Sequence, residues 1–291
     1  MGNLHSLFFY HDQVRSGWRA LIFILLSVVL VIGLAALKQL VLQHELRLPL
    51  GSGEYGLFTA VLFSSWLVTR YLDRRPFGSL GLKFHSRWFT EGTMGLLLGL
   101  SWLLATSIFR LKFDNPSLQL NVSQLAAIPW TLPLTTLVGV LFEEYFFRGY
   151  LLQSFVVGIG PILALLLTSI LFGLGHSYEG GIMAILNASL LGAALGLTVL
   201  QTRSLWLAVG FHYGWNITAS LSPTLIANPS SGLELSNPAF TVSLILLVVL
   251  LYVVKMGPNP QMESLWDRYI HPAPWPPWKR RAQPETESYA G

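Results

Sequence analysis

Eight apolar runs, each approaching the length needed to cross a bilayer, constrain what this chain can fold into. They lie at about Ala20–Leu37, Tyr55–Thr69, Glu91–Phe109, Thr131–Leu152, Pro161–His176, Gly181–Leu200, Leu205–Leu221 and Ala239–Val254. A hydrocarbon core of roughly 30 Å needs about 20 predominantly apolar residues in a helix. Backbone polar groups inside that core must be satisfied within the segment itself. The predicted fold class is therefore all-α, a polytopic transmembrane helical bundle of about eight spans. Charged residues make up 11% of the 291 positions, against about 25% in an ordinary soluble domain. Cysteine is absent, which excludes disulfides, thiolate metal sites and a cysteine nucleophile.

Charge placement orients the spans. With eight spans and an inner N-terminus, 14 of the 18 Lys+Arg fall in inner segments, from Arg15 and Arg19 through Arg70, Arg74 and Arg75 to Lys279–Arg281. Only Lys38, Arg47, Arg110 and Lys112 fall outside. That bias predicts an integral, multi-pass membrane protein with both termini cytoplasmic, in the plasma membrane if the cell is bacterial. The first run follows Arg15 and Arg19 but offers no good small-x-small cleavage site, so it is expected to stay as an anchor. The expected organisation is 1–90 for the first two spans and an inner interfacial segment, 91–256 for a membrane core, and 257–291 for a Pro/Trp-rich cytoplasmic tail without a packed domain. No clustered basic face suggests nucleic acid as a partner.

Polar side chains inside the apolar runs carry the chemistry. Glu143, Glu144 and Arg148 stand together in the fourth run, His176 ends the fifth, and His212 and Asn216 lie in the seventh. Each charge at mid-bilayer costs roughly 2.5–3.5 kcal/mol, too much for packing alone. Adjacent helix positions point about 100° apart, so Glu143 and Glu144 are expected to serve different faces. Arg148 follows Glu144 by four, the spacing of a helix ion pair, which makes Glu144–Arg148 an orienting pair and leaves Glu143 free as an acid or base. His212 and Asn216, also four apart, face one way. Ala188, Gly192 and Gly196 give the sixth run a face for close helix contact.

The joint pattern resembles the type II CAAX prenyl endopeptidase and bacteriocin-processing family, also called CPBP or abortive-infection proteins. The residues that carry the resemblance are Glu143-Glu144…Arg148, Phe172…His176 and His212…Asn216, within about residues 85–222. The resemblance implies an intramembrane endopeptidase acting on a membrane-associated peptide. Glu143 with His176 would activate water, and His212 with Asn216 would stabilise the oxyanion. Glu144, Arg148 and Phe172 would have orienting roles. No cofactor is favoured. An alternative draws on the same residues: Glu143, His176 and His212 as a zinc set with an open water position, in keeping with the family's metalloprotease label.

Two competing functions use the same residues. One is a non-catalytic partner protein of the same fold, giving bacteriocin immunity or acting as a regulatory scaffold. The other is a transporter with a Glu/His proton relay, which should show an inverted repeat; none is evident.

Overall fold

The computed structural model describes residues 8–10, 13–42, 53–114, 119–120, 128–227 and 238–270. Helices dominate these residues: α1 Ser16–Leu42, α2 Gly53–Tyr71, α3 Trp88–Asp114, α4 Leu132–Glu144, α5 Gln153–Ile159, α6 Pro161–Gly175, α7 Gly181–Thr202, α8 Trp206–Leu225, α9 Pro238–Val253 and α10 Pro260–Tyr269. Extended pairing among the described residues is limited to two antiparallel two-residue contacts, Phe9–Tyr10 with Gln13–Val14 and Gln119–Leu120 with Ile226–Ala227. The all-α class stands. Between α4 and α5 the chain stays helical but changes to π-type bonding over Tyr145–Leu152, so residues 132–159 form one continuous rod.

Every apolar run lies on a helix, yet helices and spans are different quantities. Only Ser16–Leu37 and Gly181–Thr202 combine the length and hydropathy of a membrane span among the described residues. Helix α6, with 15 residues, rises only about 22 Å at 1.5 Å per residue, short of a 30 Å core. Runs such as Pro161–His176 are therefore helices of the bundle without being established crossings, and the count of eight spans does not follow. The outer faces are nonetheless strongly apolar: Val29, Ile32, Ile162, Ile170, Val242 and Leu246 are all exposed. Glu144, Arg148, Gln153, Asn187 and His212 are buried. A chain that exposes aliphatic side chains while burying charge is arranged for an apolar solvent.

Two close helix contacts set the frame around the buried charges. On α3, a Cβ added at Gly95 would collide with the Leu207 carbonyl, and one at Gly99 with the Phe211 carbonyl. On α8, Gly210 and Gly214 press in the same way on the carbonyls of Gly92 and Leu96. The two backbones therefore touch along several turns, the approach that small residues permit between helices in an apolar medium. The second contact joins α6 to α7 through the expected small face. Gly192 lies against Ser169 and Phe172, Gly196 against Leu165, and Ala188 is fully buried.

A polar joint closes one end of the bundle. Asp73, just after α2, accepts from Arg19 of α1 at 2.7 Å and from Arg75 at 3.1 Å. Arg75 also donates to Gln153 of α5 at 2.6 Å, and Gln153 donates to the Leu80 carbonyl at 3.1 Å. Residues 83–89, within the stretch expected to hold the inner interfacial segment, face two ways. Phe84 and Phe89 are exposed and Phe84 packs on Trp88 and Trp206, whereas His85 turns inward.

The tail does not begin where its composition suggests. Asn259 is fully buried and caps α10 by accepting from the Gln261 and Met262 N–H groups, with Pro260 in the first turn. Its backbone N–H donates to the Thr202 carbonyl at 3.0 Å, and its amide contacts His85 Nδ1 at 2.9 Å. Met262 and Trp266 are buried, with the Arg203 guanidinium 4.8 Å from the Trp266 ring centroid. Residues 257–270 thus belong to the packed body, because a cap and two apolar anchors outweigh the prolines around them. The remainder of the expected tail, 271–291, lies outside the described residues.

Candidate active site

Helix α4 delivers Glu143 and Glu144 at the point where α-helical geometry gives way to the π segment. A π turn packs more residues per turn than an α turn and recurs at functional sites. Here it buries Tyr145, Arg148, Gly149 and Tyr150. Gly149 lets the rod approach the Leu80 carbonyl and Leu205 at 3.4 Å from where a Cβ would stand.

Glu144 is the anchor. Its side chain is fully buried, and Oε1 accepts from Arg148 Nη1 at 2.7 Å and from His212 Nδ1 at 2.8 Å. The guanidinium is satisfied further by the Gly192 carbonyl at 3.4 Å and lies 4.2 Å from the Phe172 ring centroid. The ion pair suggested by the four-residue spacing is present. It also has a third member that spacing did not indicate.

That member, His212, links the two glutamates. Its Nε2 stands 3.6 Å from Glu143 Oε2 while Nδ1 is bonded to Glu144. The two carboxylates, expected to serve different faces, both meet one imidazole, at its opposite edges. A carboxylate only accepts, so the His212–Glu144 bond places a proton on Nδ1. Nε2 then faces Glu143 with a lone pair in the neutral ring, or with an N–H in the imidazolium. At 3.6 Å the Nε2 and Oε2 atoms are too far apart for a hydrogen bond but near enough for a single oxygen to touch both. Glu143 is the accessible partner, its side chain 24% exposed against 0% for Glu144. Its Oε2 is itself enclosed and has no hydrogen-bond partner.

His176 caps the C-terminus of α6, and its Nδ1 lies 2.8 Å from the Phe172 carbonyl. That bond uses Nδ1–H and leaves Nε2 as the acceptor edge. Phe172 sits between the two imidazoles, its ring 4.5 Å from His176 and 5.8 Å from His212 by centroids. The fifth run's helix ends at Gly175, and His176 is brought to the His212 neighbourhood through Phe172 from that helix end. Asn216 is half-buried, one turn beyond His212 on α8.

The zinc alternative finds no support in how these side chains stand. Among the described residues no group of three or more His, Asp or Glu side chains is placed to hold a metal ion, so Glu143, His176 and His212 do not form a three-ligand set.

Several contributors were not singled out from the sequence. Tyr178 is exposed and its ring stacks at 6.5 Å from that of His176. The glycines of α3 and α8 show in the sequence only as small-residue spacings, Gly92-x-x-Gly95-x-x-x-Gly99 and Gly210-x-x-x-Gly214. No residue pattern announces the π segment.

Residues 125–218 match the family model described as type II CAAX prenyl endopeptidase Rce1-like, a stretch of about a third of the chain. It contains Glu143, Glu144, Arg148, Phe172, His176, His212 and Asn216. A comparison with curated proteins gave no match.

Proposed function

We propose, on the premise that residues 125–218 form a type II CAAX prenyl endopeptidase domain of the Rce1-like kind, that the chain is an intramembrane endopeptidase. Its substrate would be a membrane-associated peptide. The observation that carries this reading is the imidazole of His212, bonded to buried Glu144 and facing accessible Glu143.

Glu143 takes a proton from a water that the free Nε2 edge of His176 helps to orient. The water oxygen bonds to the peptide carbonyl carbon, and the carbonyl π electrons move onto oxygen as an oxyanion. His212, as an imidazolium backed by Glu144, donates Nε2–H to that oxygen, and the Asn216 amide donates a second hydrogen bond. Glu143 then passes its proton to the amide nitrogen. The C–N bond breaks, leaving a carboxylic acid and an amine. Arg148 keeps Glu144 Oε1 in place as acceptor, so the acceptor for His212 Nδ1 is present before substrate arrives. No step uses a metal.

The test is cleavage of co-expressed or added membrane peptides, prenylated CAAX peptides among them, by purified protein. Cleavage that survives exhaustive chelation and disappears in Glu143→Gln is expected. Strict zinc dependence would overturn the mechanism, and a folded wild type that cleaves no peptide of such a panel would favour the partner-protein role. The topology is proposed with both termini cytoplasmic and an eighth span between them. Reporter fusions at Gly232 and Gly291 should then report opposite sides, and the same side for both would remove that span.

A further inference from the structure

Away from the glutamates, the end of α2 carries a cavity of about 240 Å³ lined by Trp66, Thr69, Arg70, Arg74, Arg75, Pro76 and Phe77. We propose that this cavity binds a phosphate-bearing anion, in the first place the headgroup of an acidic lipid.

Charge is the first argument. Three arginines line the cavity and no acidic side chain does. Asp73, next to Arg74 in the chain, is shared between Arg19 and Arg75, so it offsets only one of those two charges. Arg70 and Arg74 are exposed, and neither makes an ion pair among the described residues. Counting Arg19 behind Asp73 with the three lining arginines, four positive charges meet one negative, a net three on this patch. Arginine's planar fork suits phosphate oxygens better than a point charge does.

Backbone geometry is the second. Arg74 has φ 53°, in the left-handed region that few non-glycine residues adopt. The turn around it is closed by the Arg75 N–H donating to the Thr69 carbonyl at 3.0 Å. Glycine would relieve that position, yet a cation stands there, and strained residues of this kind collect at ligand clamps. Arg75 is in turn fixed from behind by Asp73 and Gln153, so one wall is rigid before any ligand arrives.

Size and setting name the source. At about 30 Å³ per water, the hollow has room for a phosphodiester and part of its glycerol. Trp66 forms its rim and stacks on Phe63 at 5.8 Å and against Tyr71 at 6.2 Å, all three exposed. Exposed aromatics beside arginines mark the boundary between headgroup and acyl chain. Thr69 and Pro76 complete a cavity that is polar at its arginine end and apolar toward Trp66 and Phe77.

The experiment measures lipid binding by native mass spectrometry and by thermal stability of purified full-length protein in neutral detergent. Phosphatidylglycerol, phosphatidylcholine, inorganic phosphate and glycerol phosphate are titrated separately. Each arginine near a membrane surface is worth about a fivefold change in acidic-lipid affinity. Arg70→Gln/Arg74→Gln should therefore weaken phosphatidylglycerol binding on the order of 25-fold without losing the fold. Arg74→Gly should lower the affinity about fivefold while leaving unliganded stability equal or higher, since it relieves the strained φ. Saturation by glycerol phosphate as tight as by the lipid, lost in the double variant, would place a soluble phosphate in the same site. Unchanged phosphatidylglycerol binding in the double variant, or equal retention of phosphatidylcholine by wild type, would overturn the proposal.

Discussion

Replacing Glu144 by glutamine should separate folding from chemistry. The change removes one charge from a cluster in which Arg148 is 2% exposed and bonded to Glu144 at 2.7 Å. Breaking a buried pair by neutralising one partner costs about 3–5 kcal/mol, because the other charge is left without compensation. At about 2–4 °C per kcal/mol, the melting temperature should fall on the order of 10 °C. Glu143→Gln should cost little stability, since Glu143 makes no hydrogen bond through Oε2 and its side chain is partly exposed. It should nonetheless abolish turnover. A third variant, Glu144→Leu/Arg148→Met, tests the cause. Apolar replacement of a buried ion pair is often neutral or better, so most of the stability should return. What remains lost is the acceptor for His212 Nδ1 at 2.8 Å, worth about 1–3 kcal/mol when a buried donor goes unsatisfied. Turnover should stay low, because His212 is no longer held. Thermal unfolding followed by tryptophan fluorescence, with peptide cleavage on the same preparations, reads all three. If Glu144→Gln melts within 1 °C of wild type, or if the apolar pair restores activity, the division of labour is wrong.

Other perturbations follow from the same geometry. Asn216→Ala should lower kcat by on the order of 100- to 1000-fold with little change in KM, as loss of an oxyanion donor does; steady-state kinetics that show no change would remove it from the mechanism. Gly210→Ala should cost about 1–3 kcal/mol through overpacking, because its Cβ meets the Gly92 carbonyl. Gly33→Ala, where nothing lies within 4 Å, should be neutral or stabilising when both are compared by thermal melts. His85 supplies a pH dependence. Its Nδ1 accepts from Asn259 Nδ2 and the Arg87 N–H, and its Nε2 faces Ser204 Oγ at 3.1 Å and Glu91 Oε2 at 3.4 Å. Burial lowers its pKa below 6.5, opposed by Glu91 and assisted by Arg87 and Lys83. The unfolded chain therefore binds the extra proton more readily. The stabilisation is full above pH 6.5 and is lost as pH falls through the lowered folded value. Wild type should show that loss in melts across acidic pH, with protease cleavage near α10 rising in step. A His85→Asn variant with the same acid slope would refute it.

What the sequence determined by itself was local and chemical. Helices follow from apolar runs because an apolar solvent leaves the backbone no partner but itself, and α2, α6, α7 and α9 both begin and end within two residues of their predicted bounds. Glu144 with Arg148, and His212 with Asn216, share faces because four residues make about one turn. What only the tertiary structure decided depends on contacts between helices. His212 reaches both Glu144 and Glu143 because glycines on α3 and α8 bring two backbones together and α8 also packs on α4. Neither glutamate's spacing contains that information. The packing of α10 follows from His85 and Thr202 receiving Asn259 across more than fifty residues of chain, which a reading of proline content cannot anticipate. The span count also passed beyond sequence. Helix length and side-chain exposure are read one element at a time, whereas crossing a bilayer depends on how short helices such as α6 stack within the bundle.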